Sequence, residues 1–172
     1  MYMFKSRSLA VYLGLIIFAA DLVSKFLTQK YLPPMNHYLW YPYGGIGVFK
    51  NFLGIEFSIS YLTNKGAAWG VLAAYQNYLI VMRIFLVLGV CIYAFFFNKH
   101  RSWEIPLTFI VVGAAGNILD FFIYGHVVDM LHFILWGYDF PVFNLADSAI
   151  FIGITLLMLI STFEKKGQIR EY

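Results

Sequence analysis

Residues 105–124 read IPLTFIVVGAAGNILDFFIY, an apolar run broken only near its end by Asn117 and Asp120. A helix needs about 20 apolar residues to cross the hydrocarbon core of a bilayer. This stretch therefore predicts a membrane span. Three more such stretches flank it, roughly 8–27, 78–97 and 145–163. The whole chain agrees with them. Of its 172 residues 61% are hydrophobic and 12% are charged, against roughly 25% charged in soluble domains. A soluble domain of this length cannot bury that much apolar surface, so the excess is expected to face lipid. The composition excludes a soluble enzyme, a disordered chain and a disulfide scaffold, and the lone Cys91 allows no intrachain disulfide. A net charge of +3 without a basic stripe gives no sign of nucleic-acid binding.

Lysine and arginine set the direction of the spans. Lys5 and Arg7 precede the first, Lys99 and Arg101 lie between the second and third, and Lys165, Lys166 and Arg170 follow the fourth. All of these share one side if the spans are consecutive. The positive-inside rule then puts both termini in the cytoplasm, with segments 28–77 and 125–144 outside. The first span has the basic start of a secretory signal, but Asp21 and Lys25 interrupt its far end and no small-residue cleavage site follows. It is expected to be a retained helix. Leu88-Gly89-Val90-Cys91 fits a loose lipobox pattern but lies inside a span, where chance explains it.

The outer segment has a pattern of its own. Ile55, Phe57, Ile59 and Tyr61 alternate with Glu56, Ser58 and Ser60, the period of a half-buried strand. Gly44-Gly45 suggests a turn before it, with a further strand on either side. Trp40, Tyr41, Tyr43, Phe49 and Phe52 suit the headgroup level. The expected architecture is an integral membrane, mainly α chain: one membrane domain over 1–172, with four transmembrane helices and a small outward-facing β-sheet at the membrane surface.

Polar groups inside spans need a reason. Asp21 and Lys25 stand four apart, suiting an intrahelical pair with Lys25 snorkelling outward. Gly113-Ala114-Ala115-Gly116 would let another helix approach closely. Asn117 and Asp120 share one face beyond it and suit a hydrogen-bond clamp between helices. Snorkelling or pairing explains Arg83, one to two turns inside the second span, as well as any function does.

Asp129 and Asp147 are the sharper case. The chain between them leaves and re-enters the membrane on one side, with Gly137 and Pro141 suited to a turn, so the two carboxylates can meet. Singly, each has a plain explanation: Asp129 as a solvated loop acid, and Asp147 in a capping box with Asn144 as N-cap. Together, two close carboxylates in a low-dielectric setting cannot both ionise, and one keeps a proton. A helix N-terminus favours negative charge at Asp147, which leaves Asp129 the better place for that proton. Such a pair can activate water and polarise a carbonyl, as in aspartic proteases. His37, His100, His126 and His132 form no zinc motif, and no serine elbow or phosphate-cradling glycine loop is present.

The motif set resembles the lipoprotein signal peptidases, the bacterial type II signal peptidases. Asp21-Leu22-Val23-Ser24-Lys25 is similar to that family's Asp-x-x-x-Lys. Asn64-Lys65-Gly66-Ala67-Ala68-Trp69-Gly70 is similar to Asn-x-Gly-Ala-Ala-Phe, with tryptophan for phenylalanine. Gly116 to Asp120 matches Gly-Asn-x-x-Asp. Gly125 to Asp129 and Phe143 to Ser148 match the stretches carrying the two aspartates. The resemblance implies an intramembrane aspartyl endopeptidase that cuts diacylglyceryl-modified prolipoproteins just before the lipidated cysteine. It implies Asp129 and Asp147 as the catalytic pair. Asn64, Asn117, Asn144, Asp120 and Gly66 would line the site for substrate or globomycin-like inhibitors, and Asp21 and Lys25 would be structural. No cofactor or metal is implied, membrane lipid is the surrounding partner, and nothing demands an oligomer, so a monomer is expected. The setting would be the bacterial cytoplasmic (inner) membrane, with the active site near its outer face. One departure stands out: the family motif continues Asp-Arg, and here Phe121 follows Asp120. Lys65 or Arg83 is expected to substitute in part. Two other classes stay open, a non-catalytic membrane assembly factor and a small proton-coupled transporter. Against the latter, a relay needs acids spread through the bilayer depth, and these gather towards one face.

Overall fold

The computed structural model describes residues 2–66 and 73–169. The Ala67–Gly70 part of the second motif and Arg170 lie outside the described residues, as do the side chains of Lys5, Lys165 and Lys166.

The elements run α1 (Tyr2–Tyr31), β1 (Ile46–Phe52), β2 (Ile55–Asn64), α2 (Gln76–Ile92, continued by a π-turn over Tyr93–Phe97), α3 (Glu104–Tyr124), β3 (Val127–Leu135), β4 (Tyr138–Asp139) and α4 (Leu145–Ile169). All four helices are long and apolar enough to cross a membrane. Within each apolar window only 11–28% of residues are buried, so most of that apolar surface faces out of the bundle. The inside mixes the two kinds: Asp21, Lys25, Asn117, Asp120 and Asn144 are buried alongside Leu79, Ile80, Leu107 and Val128. Lipid as solvent allows an apolar exterior around such polar groups.

Close packing rests on small residues. A Cβ on Gly113 would collide with the Ala146 carbonyl of α4. One on Gly116 would stand 2.6 Å from Asp21 Oδ2 of α1. Gly125 (φ +75°) ends α3 in the left-handed conformation, its N–H donating to the Phe121 carbonyl at 3.0 Å. The chain then turns straight into β3.

Segments 28–66 and 125–144 join in one antiparallel sheet of order β1-β2-β3-β4. Both hairpins turn on residue pairs with positive φ, Leu53-Gly54 and Trp136-Gly137, the geometry that matches strand twist. The alternating strand is present as β2 and is longer than its pattern. Its serines point inward: Ser58 and Ser60 are buried, whereas Phe57, Ile59 and Tyr61 are half-buried. The reason is a polar cluster. Ser58 Oγ lies 3.4 Å from His132 Nδ1, and His132 Nε2 lies 2.9 Å from Asp139 Oδ1. The Tyr43 ring packs edge-on against His132. The other face carries a ring ladder in which Phe57 and Phe133 stack at 4.3 Å. Of the aromatics expected at the headgroup level, Tyr41 has its hydroxyl 2.9 Å from the carbonyls of both Phe49 and Phe57, and Trp40 is 90% exposed.

Register puts one feature in place. Ile55 to Ile59 pair with Leu135 to Leu131, but Leu62 to Asn64 pair with Asp129 to Val127 after a shift of one residue. That bulge moves even-numbered residues onto the ring-ladder face. Asn64 thereby comes to the same side as Asp129.

Candidate active site

The site lies where the sheet meets α1, α3 and α4. Asp129 projects from β3 and is 1% exposed, so it is not the solvated loop acid that its position allowed. The reason is that 127–135 is a strand paired to β2 rather than a loop. Its Oδ2 accepts from Asn64 Nδ2 at 3.0 Å and its Oδ1 from Asn144 Nδ2 at 2.8 Å. Burial, and then the negative charge of Asp147, push its carboxyl up to about 7, against the opposing hydrogen bonds of Asn64 and Asn144.

Asp147 stands at the third position of α4. Its N–H donates to Asn144 Oδ1 at 2.8 Å, and its Oδ2 accepts from the Asn144 N–H at 3.4 Å. That reciprocal pair is a capping box. The box leaves Oδ1 free to accept from Asn117 Nδ2 at 2.7 Å. Capping and site geometry are therefore one arrangement: the box that ends the helix also aims the carboxylate. Asn144, wholly buried, holds both acids, and its Nδ2 also lies 3.1 Å from Asn117 Oδ1.

Below this pair sits a cation that the sequence reading pointed the wrong way. Lys25 does not snorkel outward; it is completely buried. The expected pair with Asp21 forms at 2.7 Å, but the same ammonium also reaches Asp120 Oδ2 at 2.8 Å and donates to Asn117 Oδ1 at 3.0 Å. Three acceptors match its three donors, and that inward satisfaction outcompetes snorkelling. The two acids reach further. Asp21 Oδ1 accepts from the Ala146 N–H in the first turn of α4 at 2.9 Å, and Asp120 Oδ2 from the Val128 N–H at the start of β3 at 3.2 Å. Asn117 and Asp120 thus clamp helices as their spacing suggests, with Lys25 as the clasp.

Gly66 closes the turn after β2, its N–H donating to Asn64 Oδ1 at 2.9 Å, and its carbonyl accepts from Arg83 Nη2 at 2.9 Å. Arg83, Asn117 and Asp147 line one cavity of about 280 Å³ between α2, α3 and α4. Phe121 packs edge-on against Phe122, and Lys65 is exposed, its charge helping burial to hold His126 below the ordinary histidine range. Of the two substitutes for the missing arginine, Arg83 is the one on the cavity wall. Strand β3 does not show in the sequence because apolar residues dominate both of its faces, with one polar residue on each, Asp129 and His132, which erases the alternation. Its Gly137 turn was the available signal.

The sequence profile of signal peptidase (SPase) II matches residues 13–163. This chain belongs to the signal peptidase II family. Similar proteins include a lipoprotein signal peptidase of Chlamydia trachomatis serovar L2b, 36% identical over 169 residues (95% of this chain and 97% of that one). A lipoprotein signal peptidase of Burkholderia multivorans is 36% identical over 161 residues, covering 89% of this chain and 88% of that one. The fold matches a bacterial membrane enzyme solved by the in meso method at 2.3 Å resolution, with TM-score 0.79 and 23% identity over 93% of this chain and 91% of that one. As a signal peptidase II relative the chain is a peptidase of multi-pass membrane architecture, and the carboxylates of Asp129 and Asp147 at the sheet end are its candidate chemistry.

Proposed function

We propose that the chain is an aspartyl endopeptidase that removes the signal peptide from diacylglyceryl-modified prolipoproteins, cutting just before the lipidated cysteine. One observation carries the reading: Asn144, itself fully buried, hydrogen-bonds to both Asp129 and Asp147 at the sheet end of the bundle. Two acids so placed share a proton. Asp129, pushed up to about 7, holds it. Asp147 takes a proton from water, and the water oxygen attacks the scissile carbonyl carbon. Asp129 gives its proton to the carbonyl oxygen as the tetrahedral diol forms. The diol then collapses: the C–N bond breaks, the proton on Asp147 passes to the departing amine, and a diol hydroxyl returns one to Asp129. Asn64, Asn117 and Asn144 hold the two acids in register. The lipid anchor keeps the substrate at the membrane surface and supplies part of the positioning. The site faces the outer side of the bacterial cytoplasmic membrane, and both termini lie inside.

The test is cleavage of a diacylglyceryl prolipoprotein in detergent or liposomes, followed by gel shift. Wild type cuts, and Asp129→Asn and Asp147→Asn, folded as judged by thermal unfolding, do not. Cleavage surviving in either variant sinks the two-acid mechanism. No cleavage by folded wild type points to the non-catalytic assembly factor.

A further inference from the structure

Arg83 lies inside the apolar span 76–97, about 10 Å along α2 from Gln76. A cation at that depth is costly and calls for a partner. Among the described residues no carboxylate pairs with it. Its one hydrogen bond to the protein there is Nη2 to the Gly66 carbonyl, and a guanidinium has five donors. The cavity it lines also holds Asn117 and Asp147. The rest of the wall is apolar, with Leu86 and Val90 from α2, Val111 and Ala114 from α3, and Ile150 from α4. Ligand pockets run from roughly 300 Å³ upward, so about 280 Å³ takes part of a substrate and not a whole helix. A cation with spare donors, a carboxylate and an apolar wall suit a group that presents a carbonyl oxygen at one end and hydrocarbon at the other.

We propose that Arg83 positions the substrate by donating hydrogen bonds to one of its carbonyl oxygens, while the apolar wall takes the adjoining hydrocarbon. This rests on the peptidase reading above. The carbonyl belongs either to the peptide backbone or to a diacylglyceryl ester, and the guanidinium treats both alike.

The experiment compares wild type, Arg83→Met and Arg83→Lys on a diacylglyceryl prolipoprotein, and again on one whose two ester links are replaced by ethers. Losing a hydrogen bond from a charged donor should raise KM about tenfold or more, with kcat and the pH profile close to wild type. Lysine should restore part of the loss. If the effect persists on the ether substrate, the carbonyl is the peptide's; if it vanishes there, it is the ester's; either supports the proposal. An unchanged KM in Arg83→Met overturns it. So does an unchanged KM with a displaced pH profile, which would mean that Arg83 acts only through the Gly66 turn on Asn64 and Asp129. Should the methionine variant unfold, Arg83→Gln, which keeps a donor for Gly66, is read the same way. Failure of wild type to cut at all would instead sink the peptidase reading.

Discussion

Lys25 gives all three of its protons to protein acceptors on two helices, and its side chain is completely buried. Lys25→Met would leave Asp21 and Asp120 buried without their cation. Breaking a buried pair in this way costs about 3–5 kcal/mol, so the variant should melt well below wild type in detergent. A melting curve matching wild type would show the clasp to be dispensable. At Asp129 the expected outcome concerns pH. The carboxyl must keep its proton to polarise the substrate carbonyl, so kcat/KM should fall on the alkaline side with a limb near pH 7. The Asn64 hydrogen bond favours the ionised form and holds that value down. Asn64→Ala should therefore move the limb to higher pH, whatever it does to the maximum rate. A limb that stays put or moves down contradicts this assignment.

Helix α3 touches α1 and α4 through its glycines, and the two substitutions below separate packing from propensity. Gly116→Ala puts a methyl 2.6 Å from Asp21 Oδ2, an oxygen held in place by Lys25. It should destabilise by about 1–3 kcal/mol, as overpacking does, and disturb the Lys25 network with it. Gly89→Ala on α2 meets nothing within 4 Å and should be neutral or stabilising by roughly 0.5–1 kcal/mol through helix propensity. Unfolding midpoints of the two variants in one detergent check both signs. Strand β2 teaches a related lesson. Its one-residue bulge, invisible in the alternation of 55–61, turns Asn64 onto the face of Asp129.

For the whole molecule, the sheet end carries Asp129 and Asp147, and the opposite end carries Arg7, whose Nε meets Glu104 at 3.2 Å. The proposed orientation puts the sheet end outside. With Cys91 replaced by alanine, Tyr38→Cys, at a position 98% exposed beside the sheet, should react with a membrane-impermeant maleimide in intact cells. His100→Cys, between α2 and α3, should react only after the membrane is opened. The reverse pattern would invert the topology.

Length and hydropathy alone determined the four spans, because apolar runs near 20 residues have few other uses. Local spacing likewise determined the Asp21–Lys25 pair and the Asn144–Asp147 cap, since both lie within a turn of helix. The family pattern was equally local, carried by short motifs in order. Only the tertiary structure decided that Lys25 points inward, because its other partners, Asn117 and Asp120, are more than 90 residues away in the chain. Only it decided that 127–135 is a strand, which buries Asp129, and that Arg83 reaches the cavity of Asp147. Each of these depends on groups brought together across helices and strands, and periodicity along one segment carries no information about its partner.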